Sequence, residues 1–238
     1  MSARSIAEQS EAELGGRWSI LVRQQRDHVD LDRLLRALEA APPAGPVQEE
    51  VLHQVARLVF PHAFAEESVI WPAARRVLPD GEALTLTVEE EHQEVNELWS
   101  ALERDRAATS TRRDTVARLV TVLREDVRDE EDVLLPRLQA ALPPRSLRAL
   151  GLAWEAVRRT APTRPHPVVA RRPPGNALAA LPLTVLDRTR DVLDTRARRG
   201  GPDLAPHLRR ASEVLAGAAG WVETSPVLRY GDRPPTHR

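Results

Sequence analysis

Residues 62–72 read His62-Ala63-Phe64-Ala65-Glu66-Glu67-Ser68-Val69-Ile70-Trp71-Pro72, and residues 126–136 read Asp126-Val127-Arg128-Asp129-Glu130-Glu131-Asp132-Val133-Leu134-Leu135-Pro136. The second stretch stands 64 positions after the first, with the Glu-Glu pair, the apolar pair and the proline in register. The same offset relates His28 to His92 and Pro79 to Pro143, and it carries Leu34, Ala37, Leu38 and Glu39 onto Leu98, Ala101, Leu102 and Glu103. Leucines in register follow from packing alone; a repeated His and a repeated Glu do not. One helix hairpin is duplicated together with its polar residues.

Outward from this repeat, Ile20, Leu21, Leu31, Leu34, Leu35 and Leu38 recur at three- and four-residue steps and predict a helix over 17–40. The Pro42–Pro46 cluster ends it and opens a second helix over 47–77, which Pro61 and Pro72 are expected to kink. Pro79-Asp80-Gly81 is a stop, followed by a third helix over 82–106, a polar loop over 107–111, and a fourth helix over 112–141 interrupted by Pro136. Four long helices with short connections pack as an antiparallel up-down four-helix bundle, so the fold class is all-α. The bundle occupies 17–145, after a flexible N-terminus over 1–16. Beyond it the sequence predicts an extra helix over 146–159 and a Pro-rich linker over 160–176. A small helical C-terminal extension follows over 177–222, then a loose tail over 223–238.

Composition agrees with this class. Apolar residues at 42% suffice for a core, while aromatics at 3% argue against a strand-rich sandwich or barrel. The absence of cysteine excludes disulfides, zinc–thiolate sites, iron–sulfur clusters and cysteine nucleophiles. No run of eighteen apolar residues is present and Met1–Gly16 holds no apolar signal core, so a cytoplasmic protein without a membrane span is expected. Residues 1–150 carry 27 acidic and 19 basic side chains, a balance of −8; residues 151–238 carry 8 and 15, a balance of +7. An acidic body with a basic tail suits a cation-binding module whose tail docks back onto it or meets an anionic partner. Nucleic acid is not the expected partner, because the aromatic and polar readers of a recognition helix are scarce.

His62 and Glu66 are four residues apart, one helical turn and about 40° around the axis, so both reach one ion. Asp126 and Glu130 have the same relation, and His28 and His92 each add an imidazole from the partner helix of their hairpin. Six ligand-type side chains, His28, His62, Glu66, His92, Asp126 and Glu130, then point into the bundle centre. Carboxylates from facing helices can bridge two metals there, while the imidazoles and Asp126 cap the ends. Imidazole and carboxylate suit iron or manganese.

These residues resemble the hemerythrin-like (HHE cation-binding) family. Asp27-His28 is similar to its first-helix motif, His62 to Pro72 to its second, Glu91-His92 to its third and Asp126 to Pro136 to its fourth, in that order over about residues 17–145. The resemblance implies a non-haem centre of two iron ions, with Glu66 and Glu130 bridging and His28, His62 and His92 terminal. The chain departs from the family at Asp126, where His is usual. A more anionic site favours the oxidised metal and weakens reversible dioxygen carriage, and the shorter side chain leaves a coordination position open. The expected function is binding of, or reaction with, a small diatomic or peroxide ligand. Two alternatives stand beside it: a catalase-like or oxygenase enzyme using that open position, and a regulatory or DNA-associated module using the basic tail. The oligomeric state is left open.

Among other candidates, His53 lies about 180° around the helix from His62 and faces away. His166, His207 and His237 are expected in solvent. Glu67, Glu131, Asp129 and Glu91 are candidate partners for the ligand imidazoles or surface groups, and Trp71 and Trp99 are read mainly as core.

Overall fold

The computed structural model describes residues 4–105, 107–166, 168–170, 172, 175–199, 201 and 203–225. Helix α1 (Ile20–Ala40) begins three residues later than the periodicity suggests. Gly15 and Gly16 turn the chain at positive φ, and the Ser19 hydroxyl caps the helix by accepting the Leu21 N–H. Helix α2 (Pro46–Ala65) runs as one continuous helix through Pro61.

At Pro72 the structure has a different solution from a kink. After α2 the chain widens into a π turn, Glu66–Ile70, and resumes as α3 (Trp71–Val77). Pro72 cannot donate to the carbonyl four residues back and its ring would collide with it. The wider turn avoids both, with the Trp71 N–H bonding to the Glu66 carbonyl five residues back. The second hairpin repeats this. Helix α4 (Gly81–Arg104) leads to α5 (Ser110–Asp129), capped by Thr109, then a π turn at Glu130–Leu134 and α6 (Leu135–Ala141). Here the Leu135 N–H bonds to the Glu130 carbonyl ahead of Pro136.

Helix α1 packs on α2 and α5, α4 on α5, and α3 on α4, an all-helical bundle as expected. Its apolar interior is split into two layers. One holds Leu31 to Leu38, Val51 to Phe60, Val95 to Leu102 and Val116 to Leu123. The other holds Ile20 to Val22, Ala65, Ile70, Trp71, Ala74, Val88 and Leu134 to Leu138. Along each long helix the polar residues of the repeat lie between these two runs.

Residues 4–16 are docked on the bundle by two buried side chains rather than forming a flexible lead. Ile6 and Leu14 are fully buried, and Gln25 Nε2 donates to the carbonyls of Ile6 at 2.9 Å and Gln9 at 3.1 Å. Two apolar residues among polar ones were too sparse a pattern to reveal this docking. Helix α7 (Pro144–Arg159) closes the same layer through Leu147 and Trp154.

The C-terminal part folds back as a hairpin of α8 (Gly175–Arg199) and α9 (Ala205–Glu223), with Val169, Ala179, Leu183 and Ala219 between them. Arginines fasten it to the acidic bundle. Arg172 binds Glu89 at 2.7 Å and Glu82 at 2.8 Å, Arg164 reaches Glu103, and Arg198 reaches Glu50 at 3.2 Å. Docking back onto the body thus accounts for part of the tail's positive charge. Pro167, Arg171, Pro173, Pro174 and the segment from 226 on, with His237, lie outside the described residues. Among the described residues no helix is long and apolar enough to cross a membrane.

His166 corrects an expectation. It is buried, its backbone N–H donates to Asn96 Oδ1 at 3.1 Å, and its ring joins Asp187 at 2.9 Å to Glu223 at 2.7 Å. The surrounding prolines gave it the look of a linker residue, while its partners lie far away in sequence. Burial alone would lower its pKa, but Asp187 and Glu223 outweigh this and raise it from 6.5 to about 9. The raised value means that the stabilisation is complete below about pH 6.5 and is lost as the pH rises through about 9. His166→Ala, which leaves the fully buried Asp187 with the Thr163 and Arg164 backbone N–H groups but without its imidazolium partner, is expected to destabilise the α8–α9 docking by about 3 kcal/mol. Hydrogen exchange of α8 and α9 at pH 6 and pH 9.5, corrected for the intrinsic exchange rate at each pH, checks both outcomes, with lower protection in the variant and at the higher pH.

Candidate metal centre

The six side chains singled out from the repeat meet in one place. His28 comes from α1, His62 from α2, His92 from α4 and Asp126 from α5, while Glu66 and Glu130 are the first residues of the two π turns. All six are buried. Ligand atoms of His28, His62, Glu66 and Glu130 lie within 4.8 Å of one another, and so do those of His92, Asp126 and Glu130. The two groups share Glu130. Glu66 also spans them, with Oε1 3.0 Å from His62 Nε2 and Oε2 3.7 Å from His92 Nε2.

Each imidazole is aimed by a carboxylate behind it. His28 Nδ1 pairs with Glu131 at 2.9 Å, His62 Nδ1 with Asp27 at 3.1 Å, and His92 Nδ1 with Glu67 at 2.9 Å. These bonds turn all three Nε2 atoms toward the centre. Glu67 and Glu131 are thus partners of ligand-type imidazoles, and each serves the histidine of the other hairpin. Asp129, by contrast, is exposed. His53 is outside both groups, as its angle implied, and His207 is exposed.

Both oxygens of Glu66, both of Glu130 and Oδ1 of Asp126 are buried without a hydrogen-bond partner. The nearby Nε2 atoms approach them at 3.0–3.7 Å but off the hydrogen-bonding axis. Atoms converging on a common point have that geometry, and buried carboxylate oxygens without donors are satisfied by a proton or by a cation. The donor set of three imidazoles and three carboxylates fits a pair of such ions.

The electrostatics follow. Burial opposes charge on His28, but Glu130 and Glu131 raise its pKa to about 9. Against the same burial, Glu66 and Asp27 hold His62 well above its ordinary value, and Asp126 and Glu67 do so for His92. Burial and the facing charges of Glu66 and Asp126 push Glu130 up to about 8. Glu91 stands 64 positions after Asp27. Where Asp27 is hydrogen-bonded to an imidazole, Glu91 lies near the like charges of Asp126 and Asp129, and burial together with them raises its pKa to about 8.

Beside the centre lies a cavity of about 20 Å³ lined by His28, Leu31, Leu58, Val59, His62, His92, Leu123 and Asp126. That is room for one molecule of about the size of water. The Trp71 ring lies beside His92, with centroids 6.4 Å apart, whereas Trp99 packs edge-on to Phe60 within the apolar layer. Sequence reading missed Trp154, which stands edge-on to His62 at 5.3 Å from a helix outside the repeat.

Comparison with protein families matches residues 20–138 to the Hemerythrin HHE cation binding domain. Comparison with curated proteins and with solved structures gives no significant match.

Buried carboxylates held against each other lower the stability of the metal-free protein. Glu130→Gln is expected to raise its stability at pH 7 by on the order of 1–3 kcal/mol, since Glu130, with its pKa raised to about 8, must take up a proton to fold at that pH and an amide need not. Thermal unfolding in the presence of a chelator measures this, and an unchanged or lowered midpoint contradicts it.

Proposed function

The chain belongs to the hemerythrin HHE cation-binding family, and from that premise we propose that it holds two iron ions between its bundle helices and there binds or reacts with dioxygen, nitric oxide or peroxide. The observation that carries this reading is the set of five orphaned carboxylate oxygens facing three inward-turned Nε2 atoms. Manganese is the other metal that the donor set suits.

When bound, such an ion pair supplies a place for a small ligand and an electron from each metal. The chain's own residues do the rest. Glu66 and Glu130 reach both groups and are the shared ligands, while His28 and His62 hold one end and His92 and Asp126 the other. The apolar layers above and below exclude water and strengthen every charge interaction at the site. The cavity of about 20 Å³ beside the centre is of the size of a small ligand.

Asp126 decides between the versions of this function. Its carboxylate is shorter than an imidazole and adds negative charge, which supports reaction with the small ligand over reversible carriage. Glu91, with its pKa raised to about 8, is positioned to hold a proton against Asp126.

Protein expressed with ample iron and purified without chelator is expected to carry about two irons per chain by elemental analysis; none would overturn the reading. Asp126→His restores the imidazole that is usual for the family at this position. Its visible spectrum under cycles of air and argon is expected to shift toward a reversible oxygenated form. An unchanged spectrum removes Asp126 from the ligand set.

A further inference from the structure

Helix α7 lies beyond the matched residues 20–138, yet it packs against α1, α2 and the first π turn. Gly151 permits the approach, because a Cβ there would overlap the Trp18 carbonyl oxygen and crowd the Ile20 nitrogen. Trp154 and Arg158, one turn apart on α7, both act on His62. The Trp154 ring is fully buried and meets the imidazole edge-on at 5.3 Å. The Arg158 guanidinium lies 4.9 Å over that ring, and its Nη1 donates to Asp27 Oδ2 at 3.3 Å. The same Asp27 oxygen takes His62 Nδ1 at 3.1 Å. Glu155 steadies Arg158 from one turn earlier, at 3.3 Å.

We propose that α7 is a wall of the metal site and that Trp154 and Arg158 are positioning residues for His62. They hold the end of the site formed by His28 and His62. The other end is oriented from within the matched domain, with Glu67 on His92 and Trp71 beside it. Arg158 fixes the Asp27 carboxylate that aims the imidazole, and Trp154 blocks the ring from turning away. Loss of an outer hydrogen-bonding partner of a metal ligand lowers metal affinity by about 10–100-fold. Because Arg158 acts on one end, its loss weakens one of two metal positions and spares the other. The inference rests on the two-metal reading.

The test is anaerobic titration with ferrous iron of full-length wild type, Arg158→Gln, Arg158→Lys and Arg159→Gln, with thermal unfolding of each metal-free protein. The Arg159 side chain pairs with Glu155 and not with Asp27 or Trp154 among the described residues, and is the control. Arg158→Gln is expected to weaken one equivalent by about 10–100-fold, leave the other and the metal-free midpoint unchanged, and recover most of the affinity as Arg158→Lys. Arg159→Gln is expected to bind as wild type. Wild-type affinity for both equivalents in Arg158→Gln overturns the inference. So does equal weakening of both together with a fall in the metal-free midpoint, which marks a general structural role. Wild type that takes up no iron removes the two-metal reading itself, and is distinguished because every protein in the series then fails alike.

Discussion

An acidic layer buried between two apolar layers is the constraint on which this structure turns. Glu66, Glu130 and Asp126 place carboxylate oxygens where neither water nor a hydrogen-bond donor reaches them. Removing such charges from water costs several kcal/mol each, and mutual repulsion adds to it. The three imidazoles offset part of this when protonated, which is why the pKa values of His28, His62 and His92 all rise. Cations at the centre would remove the rest. The apolar packing of the four bundle helices supplies the stability that makes so unfavourable a layer tolerable.

The duplicated hairpin explains how the layer is assembled. Each π turn starts at a shared glutamate and frees that residue's turn of the helix from the steric demand of the proline six residues on. The next glutamate then crosses to the other hairpin, Glu67 to His92 and Glu131 to His28. Neither half can orient its first-helix imidazole alone, so docking of the hairpins and construction of the site are the same event. The symmetry breaks at one pair. Asp27 pairs with His62 in the first half, while in the second Asp126 acts on Glu91 only through its charge, and the site has an imidazole-rich end and an acidic end.

Segments outside the duplicated core shape the site from two sides. The residues before α1 and helix α7 complete the lower apolar layer, and α7 brings Trp154 and Arg158 to His62. The tail uses Arg172 and the Asn96–His166 bond on α4, either side of His92 along that helix. His92 therefore sits on a helix held from outside at Glu89 and at Asn96.

The sequence by itself determined the all-helical bundle, the duplication and the six inward side chains, because these depend on local rules: helix period, proline stops and the four-residue spacing of His62 with Glu66. The Glu-Glu-to-proline pattern also marked where the helices are interrupted, though not that the interruption is a π turn. Only the tertiary structure decided which carboxylate aims which imidazole, that Ile6, Leu14 and His166 are buried, and that Trp154 and Arg158 border the site. Those facts join residues 16 to 131 positions apart. No local pattern encodes such pairings, since they arise when whole helices dock and a side chain meets whatever the other surface presents.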